Sequence, residues 1–161
     1  MSDLVEKALE FATKCHKGQV DKGGCDYIEH PKRVAAECEN DDEKVVALLH
    51  DTMEDCGVTA QTLRESGFPD EIIAAVESCT KNKNEDYFDY VRRACDNKIG
   101  RVVKMHDLED NMNILRMASL CSVRHDILER DLRNGECCLL KEKDLYRLNK
   151  YLAAYRILQG D

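Results

Sequence analysis

The chain of 161 residues carries a formal net charge of -8, a length that suits one domain able to bury roughly two thirds of its unfolded surface without disulfide support. Such a field repels nucleic acid, and no basic stripe with interleaved aromatics offsets it. No apolar run approaches the roughly 20 residues of a membrane span, no secretory leader or lipidation box is read, and nine cysteines, odd in number with two adjacent, fit packing in a reducing cytoplasm.

Helical period dominates from the start. Leu4, Ala8, Phe11 and Cys15 form a first stripe, and Gly18 and Gly23-Gly24 mark the loop after it. Pro31 is expected to open the second helix. The acidic run Asp41-Asp42-Glu43 reads as a helix N-terminus, where carboxylates complement the dipole. Val45, Val46, Leu48 and Leu49 then make an apolar stripe, in a helix expected to continue through Asp55. Gly67-Phe68-Pro69 separates two further helices. Ile72, Ile73, Val76 and Cys79 form the next stripe, and Tyr87, Phe88, Val91 and Ala94 another. Arg133-Asn134-Gly135-Glu136 looks like an exposed turn before a last helix, whose Leu145, Leu148, Leu152 and Tyr155 should dock on the body. Tyr146, Tyr151 and Tyr155 read as core or rim residues of that helix. No segment alternates with period two, so the expectation is an all-α, single-domain bundle over 1–161 with about six to nine helices.

The densest chemistry lies in Leu48-Leu49-His50-Asp51-Thr52-Met53-Glu54-Asp55. On one continuous helix His50 stands a turn from Glu54, and Asp51 a turn from Asp55. Polar groups that interrupt an apolar stripe need partners, and a divalent cation is the obvious one. Two other stretches join this one: Tyr27-Ile28-Glu29-His30-Pro31 before it, and Lys104-Met105-His106-Asp107-Leu108-Glu109-Asp110-Asn111-Met112 after it.

A histidine, then His-Asp, then a distant Asp resembles the ligand order of the HD phosphohydrolase superfamily. More narrowly, His16-x-Gly18-Gln19 with Lys22, Tyr27-Ile28-x-His30-Pro31, Leu48-Leu49-His50-Asp51-x-x-Glu54-Asp55, Thr80-Lys81 and Lys104-x-x-Asp107-x-x-x-Asn111-Met112 look like the (p)ppGpp hydrolase domain of RelA/SpoT-type enzymes and their small stand-alone relatives. The resemblance implies an HD-type helical domain. It also implies one divalent metal on His30, His50, Asp51 and Asp107, with Glu54 and Asp55 as the acidic pair that orients and activates water. Lys22, Lys104 and Asn111 would contact nucleotide or phosphate. The reaction implied is hydrolysis of the 3′-pyrophosphate of guanosine 3′,5′-bis(diphosphate); rival readings are a phosphatase of another phosphorylated nucleotide and a non-catalytic nucleotide sensor. One departure stands out: where the family pattern carries Arg-Lys after Gly-Gln, this chain has Val20-Asp21-Lys22.

The donor set has its own chemical sense. Two imidazoles and two carboxylates leave open octahedral positions and suit Mn²⁺ or Fe²⁺ better than a closed tetrahedral zinc site. Such an ion polarises a phosphoryl oxygen and acidifies water, and a carboxylate within reach takes the proton. His16 is read as a helix-end residue, His106 as pointing about 100° away from Asp107, and Cys56 as a packing residue with no base beside it.

Overall fold

A computed structural model describes residues 2–21, 24–113 and 142–160. Lys22, His125, Cys121, Cys137, Cys138 and the expected turn at Arg133-Asn134-Gly135-Glu136 lie outside the described residues. Those described form α1 (Asp3–Cys15), α2 (Glu29–Glu37), α3 (Asp41–Leu49), α4 (Thr52–Asp55), α5 (Ala60–Glu65), α6 (Asp70–Cys79), α7 (Tyr87–Cys95), α8 (Lys98–Met112) and α9 (Glu142–Gln159). Apart from one isolated bridge between Val20 and Asp26, the described backbone has no strand pairing. The expected all-α architecture is therefore the one observed.

Local chemistry explains the boundaries. Asn40 caps α3 by accepting from the Glu43 amide at 3.0 Å, while the Glu43 carboxylate reaches back to the Asn40 amide. The acidic run thus fills the first turn and the asparagine before it is the cap. Thr59, Asp86 and Asn97 cap α5, α7 and α8 by accepting first-turn amides on their side-chain oxygens, without a reciprocal partner. Gly67, at φ +76°, turns the chain out of α5, and Pro69 then precedes the first residue of α6.

α3 is the central element. Val45, Val46, Ala47, Leu48 and Leu49 are all buried, packed among α1, α2, α6 and α8 with Ile72, Ile73, Val76, Phe68 and Val103. A second apolar cluster joins Tyr90 and Val91 of α7, Leu108 of α8, and Ala154 and Leu158 of α9. α8 is the spine shared by both, Val103 belonging to the first and Leu108 to the second. It approaches α6 so closely at Gly100 that an added Cβ would lie 2.0 Å from the Ser78 Oγ.

Two expectations need correction. The helix through His50 does not run on to Asp55: it ends at Leu49, Asp51 sits at φ -92°, ψ -8°, and a separate turn, α4, follows. Thr52 Oγ1 donates to the Leu49 carbonyl at 2.7 Å, so a side chain takes up an acceptor at the break. The second correction concerns α9, which turns only half of the predicted stripe inward, Leu148 and Tyr155 being half-buried. Leu145 and Leu152 are 42% and 44% exposed, whereas Asp144, Ala154 and Leu158 are buried. That face borders the polar site described next, so its residues are not uniformly apolar.

Candidate metal centre

Three helices bring polar groups together in the interior of the bundle. His30 comes from the first turn of α2, His50 from the end of α3, and Asp107 from the middle of α8; all three are buried. One ligand atom from each lies within 4.8 Å of the others. His30 Nε2 is 3.1 Å from Asp107 Oδ1, and His50 Nε2 is 3.7 Å from the same oxygen. Asp51 closes the group, its Oδ2 lying 3.1 Å from His50 Nε2 and 3.6 Å from His30 Nε2.

The imidazole tautomers suit metal ligation. His50 Nδ1 donates to the Ala47 carbonyl at 2.7 Å, which directs the Nε2 lone pair at the cluster. That Nε2 is buried without a properly directed hydrogen bond, despite the short distance to Asp51. His30 Nδ1 likewise engages Asp110 Oδ2, turning Nε2 inward. A buried acceptor nitrogen facing two carboxylates is what a divalent cation satisfies, so the residues fit the group.

Without an ion, protons compensate the same carboxylates. Burial opposes charge on His50, but the carboxylates of Asp51 and Asp107 outweigh it and hold its pKa well above the ordinary imidazole range. Burial likewise disfavours ionised Asp107, yet the Lys104 ammonium and the hydrogen bonds from His30 and His50 keep its pKa well below the usual carboxylate range. Lys104 Nζ is 2.6 Å from Asp107 Oδ2, and Asn111 Nδ2 donates to Asp107 Oδ1 at 2.5 Å. Of the three residues expected to contact substrate, Lys104 and Asn111 lie at the cluster and each grips Asp107, while Lys22 lies outside the described residues.

The acidic pair Glu54 and Asp55 follows Asp51 on the short turn α4 rather than on the face of α3. The break at Asp51 leaves Glu54 and Asp55 exposed. Glu54 Oε2 accepts from the Lys81 amide at 3.3 Å, and the Asp55 carbonyl accepts from Gln19 Nε2 at 3.4 Å. Of the histidines set aside in the sequence, His106 bonds Glu109 at 2.8 Å, away from the cluster. His16 caps α1 and is buried, as expected of a helix-end residue. Its Nδ1 donates to Gln19 Oε1 at 2.8 Å and lies 3.4 Å from Cys56 Sγ, so with its proton committed to the amide oxygen that nitrogen offers the thiol no base.

Several contributors escaped the sequence reading. Tyr27 donates its hydroxyl to Asp51 Oδ2 at 2.7 Å; burial first, and then the Asp51 and Asp55 carboxylates, hold the phenol in its neutral, donating form. α9 adds cations. Lys150 sits 4.4 Å above the Tyr87 ring, and burial, then neighbouring Arg147, Lys104 and Lys81, lower its pKa. Arg147 and Lys150 are one helical turn apart, a weak signal in a sequence without a motif around it.

With this geometry in view, comparison with known proteins is informative. The HD domain profile matches residues 8–112. A GTP pyrophosphokinase of Myxococcus xanthus is 39% identical over 83 residues, covering 49% of this chain and 11% of that protein. A guanosine-3′,5′-bis(diphosphate) 3′-pyrophosphohydrolase of Aquifex aeolicus is 32% identical over 126 residues, 71% of this chain and 18% of that protein. The chain thus spans only about a tenth to a fifth of the length of these relatives. A solved metazoan orthologue of SpoT, described as hydrolysing ppGpp with a role in starvation responses, superposes with a TM-score of 0.67. It has 18% identity, and the match covers 98% of this chain and 86% of that one.

Proposed function

The chain belongs to the HD domain family, and we propose that it is a metal-dependent phosphohydrolase that removes the 3′-pyrophosphate of a guanosine 3′,5′-bis(diphosphate)-type nucleotide. The observation that carries this reading is the buried His30, His50 and Asp107 cluster with an unsatisfied inward nitrogen, found inside the matched domain. The Aquifex relative's activity supports the substrate class.

On this reading His30, His50, Asp51 and Asp107 hold one divalent ion, Mn²⁺ by preference, given the mixed nitrogen and oxygen donors. When bound, the ion supplies Lewis acidity toward a phosphoryl oxygen and toward water. The rest falls to side chains. Glu54 and Asp55, exposed on the turn after Asp51, orient the attacking water and take its proton. Lys104 and Asn111 keep the Asp107 carboxylate aimed inward. Lys81, Arg147 and Lys150, gathered on the Lys104 side, offset the charge of the phosphate chain. Lys22 would add to them as a further phosphate contact.

One observation favours the rival phosphatase reading. Asp21 stands where the family pattern has arginine, and its Oδ1 accepts from the Cys25 amide at 3.0 Å to close the loop. An acid there cannot stack on guanine as a guanidinium does. The test is a nucleotide panel with Mn²⁺-loaded protein. Pyrophosphate release from the guanosine alarmone, lost in His50→Ala, supports the proposal. Orthophosphate release from other nucleotides with the alarmone untouched replaces it by the rival, and no turnover of any nucleotide favours a sensor.

A further inference from the structure

His30 and His50 are held in different ways. His50 is oriented by a backbone carbonyl one turn back on its own helix, at 2.7 Å. His30 depends on a side chain from another helix: its Nδ1 lies 2.5 Å from Oδ2 of Asp110, three residues beyond Asp107 on α8. Asp110 is held in turn by Arg33, one turn beyond His30 on α2. Arg33 Nε reaches Asp110 Oδ1 at 2.8 Å and its Nη2 reaches Oδ2 at 3.3 Å, a two-toothed grip on one carboxylate. The Asp110 side chain is only 10% exposed, whereas that of Arg33 is 38% exposed. The line Arg33, Asp110, His30 therefore runs from the surface into the cluster.

We propose that Asp110 and Arg33 are positioning residues for the metal: Asp110 fixes the ring orientation and tautomer of His30, and Arg33 holds Asp110 in the geometry that does so. The inference rests on the reading of His30 as a ligand. A neutral imidazole has one N–H, and committing it to Asp110 leaves the Nε2 lone pair for the ion. A carboxylate behind a ligating imidazole also makes that imidazole a better donor. The same contacts tie α2 to α8, the helices that carry His30 and Asp107, and so set the spacing between two of the donors.

A plain interhelical ion pair would stabilise the fold without acting on the ion, and the experiment separates the two. Mn²⁺ affinity is measured by titration calorimetry, beside the metal-free melting temperature, in the wild type, His30→Ala, Asp110→Ala, Asp110→Asn and Arg33→Ala. Asp110→Ala should weaken Mn²⁺ binding about 10–100-fold, the usual effect of removing a partner behind a ligand. Asp110→Asn retains an acceptor oxygen for the His30 N–H and should recover most of that loss. Arg33→Ala should fall between Asp110→Ala and wild type. Asparagine that fails to recover affinity, or losses that follow the metal-free melting temperature alone, overturns the positioning role. Wild-type affinity in Asp110→Ala, with affinity lost in His30→Ala, overturns that role and leaves the ligand assignment standing. Wild-type affinity in His30→Ala overturns both. If Asp110→Ala does not fold, Asp110→Asn and Arg33→Ala decide the matter: affinity unchanged in Arg33→Ala counts against the proposal.

Discussion

Glu54 and Asp55 differ from the four proposed ligands in burial, and that difference predicts how their variants behave. His30, His50 and Asp107 are buried, while Glu54 and Asp55 are exposed. Glu54→Gln or Asp55→Asn should therefore leave Mn²⁺ affinity within a few-fold of wild type. Turnover should fall on the order of 10²–10⁴-fold, the usual contribution of a general base. Calorimetry together with kcat checks this, and loss of metal binding in either variant would make that residue a ligand. The two acids also divide their contacts, the Glu54 carboxylate accepting from the Lys81 amide and the Asp55 carboxylate facing Tyr27. Nothing in their adjacency announced that division; it follows from the break at Asp51.

At the scale of elements, two contacts carry unusual weight. Arg93 of α7 donates to the carbonyls of Glu77 at 3.0 Å and Thr80 at 2.7 Å, and so satisfies acceptors left open at the end of α6. It also grips both oxygens of Glu85 at 2.8 and 2.9 Å. Arg93→Ala should destabilise the protein by about 1–3 kcal/mol at neutral pH, discounted for partial exposure. Glu85→Gln isolates the ionic part. The Arg93 hydrogen bonds hold the Glu85 carboxyl down at about 2, from an ordinary 4.5. Its stabilisation is therefore complete above pH 4.5 and is lost as pH falls toward 2. The stability difference between wild type and Glu85→Gln should shrink over that window, as read by denaturant titration at several pH values. The other contact is Gly100 against Ser78. Gly100→Ala places a methyl 2.0 Å from Ser78 Oγ and should cost about 1–3 kcal/mol by pushing α6 from α8. In a Ser78→Ala background that cost should fall. A double-mutant cycle showing additivity would mean the two residues do not meet.

Across the whole molecule, the candidate ligands connect α2, α3 and α8, so an ion there should brace the entire bundle. Mn²⁺ at about 100 times its Kd should stabilise the fold by about 2.7 kcal/mol, roughly 5–10 °C in Tm for a domain of this size. EDTA should reverse the shift, and His50→Ala should abolish it. The dependence on pH has a definite sign. Without metal, the surrounding carboxylates raise the pKa values of His30 and His50 above 6.5. Their imidazolium contribution to stability is complete below 6.5 and is lost as pH rises through the raised values. Protons and the ion compete for the same nitrogens. The Mn²⁺-induced rise in Tm should therefore be small near pH 6 and grow as the solution becomes more basic.

Much of this protein is legible before folding is considered. The apolar period of Ile72, Ile73, Val76 and Cys79 is enough to place a buried helix, since side-chain direction follows from backbone geometry alone. The separated His30, His50-Asp51 and Asp107 motifs likewise pointed to one centre, and the bundle brings them together. What could not be read locally depends on contacts between distant elements. Asp110 supports His30 from 80 residues away, Tyr27 reaches Asp51 past the two helices between them in the chain, and α9 turns a mixed face of Asp144, Ala154 and Leu158 toward the body. The break after Leu49 belongs with these, because Asp51 has to aim at an imidazole of α2 as well as at its own neighbour. Sequence pattern reports which groups need partners. Which partners they receive is decided by packing, because only there are the costs of burying a charge and of pairing it set against each other.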